Sequence, residues 1–131
     1  MQQRAQRVAI TDGARNVLRQ LIDYHGAVLL HQCDDYGDAA SPRWFPVREC
    51  PVGSADVLLG YLPWHTEFWM CAEQYEVWKH THLTVDVVRG RGSGFPPAAP
   101  DDVRFRIRSR LLTDAEVATL PPPRTGADRM T

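Results

Sequence analysis

The sequence predicts an α+β fold: a single small domain over residues 12–119, with a mostly antiparallel sheet and three helices, N-terminal, short central and short C-terminal. Three observations predict it. Near the start, Val17, Leu18, Leu21 and Ile22 recur at the spacing of one helical face. Near the end, Val103, Phe105 and Ile107 alternate with Arg104, Arg106 and Arg108, the period of a half-exposed strand. Strand-like runs fill most of the chain between, which sets helices against one face of an antiparallel or mixed sheet.

Taken in order, residues 1–11 read as a loose lead-in and Asp12 as a helix cap, accepting from the free amides of the first turn. The helix is predicted over about 13–25, and Gly26 supplies the left-handed residue that ends it. The apolar run 27–31 is a buried strand. Residues 32–46 are rich in turn formers and read as a loop, and Pro46 and Pro51 keep the next segment at or outside a sheet edge. Residues 56–62 and 66–70 read as two strands of a hairpin around Pro63-Trp64-His65. Residues 72–79 have helical composition, with Ala72, Tyr75 and Trp78 on one side. Leu83 to Val88 is β-branched and alternating, hence a strand, and the glycines of 89–94 make a turn. Thr113-Asp114-Ala115-Glu116 has the form of a capping box that opens the last helix. Pro121-Pro122-Pro123 ends it, and 120–131 is expected to be a flexible terminus.

A chain of 131 residues fits one domain, and 44% hydrophobic residues are enough for one core. A net charge of −1 gives no electrostatic case for nucleic acid or an anionic membrane. No apolar targeting run follows the polar start, and the longest apolar run falls far short of the roughly 20 residues that span a bilayer. Cys33, Cys50 and Cys71 are odd in number and widely spaced, which suits free thiols in a reducing cytoplasm.

Five groupings carry potential chemistry. His31 ends a strand and leads into Cys33, Asp34 and Asp35, with Asp38 beyond. Imidazole, thiolate and carboxylate ligate transition metals, and a thiol beside a base is a nucleophile. The plain alternative is a turn-forming Asp loop around a small Cys. His80 and His82 form a His-x-His pair that puts two imidazoles on one strand face, a short motif of low specificity. Arg89-Gly90-Arg91-Gly92-Ser93-Gly94 fits neither a dinucleotide fingerprint nor a Walker loop and reads as a hairpin turn. Arg104, Arg106, Arg108 and Arg110 make a basic stripe without interleaved aromatics, so a solvated face outweighs a nucleic-acid surface. Trp64, Phe68, Trp69, Tyr75 and Trp78 read as one aromatic core cluster.

The succession His25-Gly26, His31-Gln32, Ser41-Pro42, Asp56-Val57-Leu58-Leu59-Gly60, Phe68-Trp69-Met70, Tyr75-Glu76-Val77-Trp78-Lys79-His80-Thr81, Asp86-Val87-Val88, Gly90-Arg91-Gly92 and Arg108-Ser109-Arg110-Leu111 resembles the small bacterial proteins grouped as domain of unknown function 779. The resemblance covers roughly residues 12–117, and Trp78-Lys79-His80-Thr81 is its most specific piece. It implies a link to aldehyde or alcohol metabolism, since genes of that family often adjoin aldehyde dehydrogenase genes. It also implies a cysteine-rich loop, but Tyr36, Gly37 and Trp44 stand where the family carries thiols, and Cys33 appears near the loop start instead. His31 and His80 match family positions; His82 stands where the family often has Gln.

The function expected from these residues is a small-molecule site, metal-dependent or catalytic. Cys33, Asp34 and Asp35 would be its reactive groups and His31, His80 and His82 its ligands for a divalent transition metal. The alternative is a non-catalytic accessory protein that binds a dehydrogenase or similar enzyme. A homodimer is compatible with either.

Overall fold

A computed structural model of the chain describes residues 6–33, 42–49, 52–89 and 103–129. Strand β1 (Val8–Ile10) runs directly into helix α1 (Asp12–His25). Strands β2 (Val28–Gln32), β3 (Arg43–Pro46), β4 (Val57–Leu62) and β5 (Thr66–Met70) follow. Helix α2 (Ala72–Trp78) leads to the long strands β6 (Thr81–Arg89) and β7 (Val103–Leu111). Helix α3 (Asp114–Thr119), strand β8 (Arg124–Thr125) and helix α4 (Gly126–Arg129) close the described chain.

The fold is α+β, and its strands form two sheets where the sequence suggested one. The first has the order β1-β6-β7 and the second β3-β2-β5-β4-β8. Most pairings are antiparallel, but β1–β6 and β2–β5 are parallel. Facing sides of both sheets and the apolar stripe of α1 share one core. Val8, Leu83, Val85, Phe105 and Ile107 come from the first sheet, Leu30, Val57, Phe68 and Met70 from the second, and Ala14, Val17, Leu18 and Leu21 from α1. A smaller cluster of Leu29, Val52, Leu58 and Trp69, with Phe45 against it, covers the outer side of the second sheet. Alternation along the strands assigns the sides: Leu30 and Phe68 go inward, Leu29 and Trp69 outward. A bulge between Leu58 and Gly60 adds one residue to β4, so that Leu59 and Leu62 both reach the main core. The bulge needs glycine, since a Cβ on Gly60 would lie 2.9 Å from Val8 Cγ2.

Several expectations are corrected at the edges. The lead-in contains β1, three residues too short to show a period, held by its ladder to β6. Thr11, not Asp12, is the cap of α1: its side chain accepts from the Ala14 amide, and Asp12 is the first helical residue. The loop over 32–46 includes β3, an edge strand that ends at Pro46 as the proline demands. The C-terminal stretch holds β8 and α4 instead of trailing free. The capping box on Thr113 and Glu116 is present as read. The 89–94 turn falls outside the described residues except for the backbone of Arg89.

The aromatic cluster is divided. Phe68, Tyr75 and Trp78 belong to the main core, Trp69 to the outer cluster, and Trp64 is exposed. In the β4–β5 turn Trp64 and His65 both take left-handed backbone, at φ 61° and 60°. Such conformations cost on the order of 1–3 kcal/mol each. Here Tyr61 stacks on His65 at 4.2 Å and Arg15 lies over Trp64 at 5.5 Å, contacts that hold the turn. No helix among the described residues is long and apolar enough to cross a membrane.

Candidate functional site

Parallel pairing of β2 with β5 sets Gln32 opposite Met70, so the next residue on each chain is a cysteine. Cys33 and Cys71 form a disulfide, with their Cα atoms 5.3 Å apart. The Cys71 amide donates to the Gln32 carbonyl at 3.0 Å and continues the ladder up to the bridge. This corrects the reading of three unpaired thiols. A gap of 38 residues hid the pairing, because only the β2–β5 register brings the two ends together. Cys33, expected as a free reactive group, is held in that bridge. Asp34, Asp35 and Asp38 lie outside the described residues.

His31 sits two residues before Cys33 on β2 and is 6% exposed. Strand alternation turns it to the outer side of the second sheet, where its ring centroid is 6.5 Å from that of Phe45. Its Nε2 is 2.8 Å from Asp56 Oδ2. An ionised carboxylate only accepts, so Nε2–H is the donor. Asp56 is fixed in turn by its own loop: its Oδ2 also accepts from the Gly53 amide at 2.9 Å, and its amide donates to the Gly53 carbonyl at 3.1 Å. Beyond it, the Gly126 amide donates to the Asp56 carbonyl and the Ala127 amide to the Ser54 carbonyl, both at 2.9 Å. The C-terminal segment thus braces the turn that carries the carboxylate. Asp56 was missed as a site residue. Its signal was faint: an Asp three residues after Gly53, in position to close a turn on itself.

The other histidines go elsewhere. His80 is exposed at the α2–β6 junction, where its carbonyl accepts from the Leu112 amide at 2.9 Å. His82 lies opposite Arg110 on β6, with the inward residues Leu83 and Val85 marking the opposite side of that strand. Partial burial holds the His82 imidazole below its usual value, and the Arg110 charge adds to this against the pull of Glu116. The main core lies between the side of the first sheet that bears His82 and the side of the second that bears His31. Among the described residues no three His, Cys, Asp or Glu side chains are grouped to hold a metal ion. The expected ligand set of His31, His80 and His82 is therefore not brought together.

The arginine stripe is partly neutralised. Arg108 Nε donates to Asp86 Oδ2 at 2.8 Å, and Arg110 makes two bonds of 2.8 Å to Glu116. The Arg108 bond is the main reason that the Asp86 carboxyl lies below its usual value.

Fold and site together define a small two-sheet α+β protein with a nearly buried His–Asp pair beside a cysteine pair. The chain belongs to the family described as a domain of unknown function (DUF779), whose model matches residues 17–111, a range that includes His31, Cys33, Asp56 and Cys71. Comparison with curated proteins finds no match, and neither does comparison with solved structures.

Proposed function

We propose that the carboxyl end of the β2–β5 pair is a thiol site for small carbonyl compounds, with the His31–Asp56 pair as its proton carrier. One observation carries the reading: His31, nearly buried on β2 and bonded to Asp56, stands two residues before Cys33, which follows the end of that strand and is bridged to Cys71. Residues i and i+2 of an extended chain share a face and sit about 7 Å apart, which sets the imidazole on the side that bears Cys33. Burying an ionisable pair costs desolvation that an apolar pair would avoid, which supports a role other than packing. The aldehyde class is taken as a proposal from the link to aldehyde metabolism that the resemblance to this family implies.

In the dithiol form a cysteine sulfur adds to the aldehyde carbon. A C–S bond forms, the carbonyl π bond breaks, and the imidazole carries the thiol proton to the oxygen. Asp56 orients the ring and stabilises the transient imidazolium. The product is a reversible thiohemiacetal, suited to holding an aldehyde for a later enzyme. A reducing cytoplasm, the location we propose, would supply the dithiol.

The test is carbon NMR of reduced protein mixed with acetaldehyde labelled at its carbonyl carbon. A protein-bound tetrahedral carbon that is lost in the double variant Cys33→Ser, Cys71→Ser and diminished in His31→Gln is expected. Free aldehyde and its hydrate as the sole signals would overturn the reading.

A further inference from the structure

We propose a second binding site, for a small amphipathic carboxylate, in the groove between residues 120–123 and β4. The strap of Leu120 and three prolines crosses beside β4 before joining it as β8, which pairs only with Val57 and Leu58. Past Leu58 the two chains part and leave a cavity of about 290 Å³. That lies at the lower end of ligand pockets, roughly 300–1,000 Å³, and suits a molecule of few carbons instead of a nucleotide. Leu59, Tyr61, Leu120 and Pro122 supply apolar walls.

The charge in the groove has one sign. Arg7 and Arg124 line it, and no acidic side chain does among the described residues. Arg7 is held in place: its Nη1 donates to the Lys79 carbonyl at 2.6 Å and its guanidinium lies 5.6 Å from the Tyr75 ring centroid. A guanidinium carries five N–H donors, so this anchorage leaves others for a ligand. Arg124 stands opposite Leu58, while Val8, next to Arg7, packs against Gly60. Both arginines therefore border the groove along the same stretch of β4, from Leu58 to Gly60. Apolar walls and two cations on one groove select an anionic head on a short hydrocarbon body. None of the residues of the thiol site takes part, so the two readings stand or fall separately.

Titration with hexanoate, hexanol and inorganic phosphate, followed by calorimetry and by amide shifts in a nitrogen-15 spectrum, tests this. Saturable hexanoate binding is expected, with shifts at Leu59, Gly60 and Leu120, weakened at least fivefold in Arg124→Gln and unchanged in Arg106→Gln. Spectra of the variants establish that each is folded. Three results would each overturn the site: no saturable binding of hexanoate, hexanol binding as tightly as hexanoate, or shifts confined to other parts of the molecule. Phosphate binding as tightly as hexanoate would overturn the apolar half of the assignment.

Discussion

Asp56 holds two partners with one oxygen, the His31 imidazole and the Gly53 amide, both within 2.9 Å. Removing the carboxylate takes a bond from the nearly buried imidazole and another from the exposed Gly53 amide. Asp56→Ala is expected to lower stability by about 2–3 kcal/mol in urea denaturation, and Asp56→Asn, which keeps an acceptor, by roughly half that. A loss below 0.5 kcal/mol for the alanine variant, a limit set at the level of ordinary surface substitutions, would mean that the pair is not formed. On the side of the molecule that bears the arginine stripe, Glu116 is held from 4.5 down to about 2, chiefly by its bonds to Arg110 and next by the Thr113 amide. Its folded value lies below its unfolded one, so folding favours the ionised carboxyl. That stabilisation is complete above the unfolded value near 4.5 and is lost as pH falls toward about 2. Thermal melts of the wild type and Glu116→Gln should therefore differ by a constant amount from neutral pH to about pH 5 and converge below, as the linkage requires. An undiminished difference at the acid end would assign it to packing. The capping box on these residues was legible because it is local, four residues long and chemically specific. The His31–Asp56 pair was not, because its partners are 25 residues apart and meet only once β2 and β4 share a sheet.

The same division between local and distant signals holds among the elements. Helix α1, the β4–β5 hairpin, α2, β6 and β7 were readable from period and turn residues, since each is long enough or bounded sharply enough to repeat its pattern. Strands β1 and β8, of three and two residues, exist only through their ladders to β6 and β4. Strand β8 and helix α4 are anchored at Gly126. A Cβ there would collide with the Gly53 carbonyl, which is backbone and has little room to yield. Gly126→Ala is thus expected to detach the C-terminal segment from the turn over 53–56, raising amide exchange at Gly126 and Ala127 and loosening Asp56. Hydrogen exchange would show this, with Gly26→Ala as the contrast. At Gly26 nothing lies within 4 Å of the added carbon, and the cost is only that of a left-handed φ of 81°, about 1 kcal/mol. Equal protection of Gly126 and Ala127 in wild type and variant would show that the segment is not braced there.

For the whole molecule the Cys33–Cys71 bridge raises a conflict between stability and the proposed chemistry. It ties the ends of the central parallel pair β2–β5 and closes a loop with a sequence separation of 38. By loop-closure entropy such a bridge stabilises the fold by about 2–4 kcal/mol. Native domains of this size have roughly 5–15 kcal/mol in hand, so a fold that loses the bridge can still stand on its core. That core draws buried side chains from α1 and both sheets and includes neither cysteine. The dithiol form demanded by thiol addition is therefore expected to be folded but less stable. Urea denaturation with and without a phosphine reductant should show a loss of about 2–4 kcal/mol in the wild type, matched by the double variant Cys33→Ser, Cys71→Ser and absent when that variant is treated with reductant. A wild type that unfolds on reduction would confine the protein to its disulfide form and leave the thiol no working state. A wild type indifferent to reductant would mean that the bridge contributes nothing to the fold.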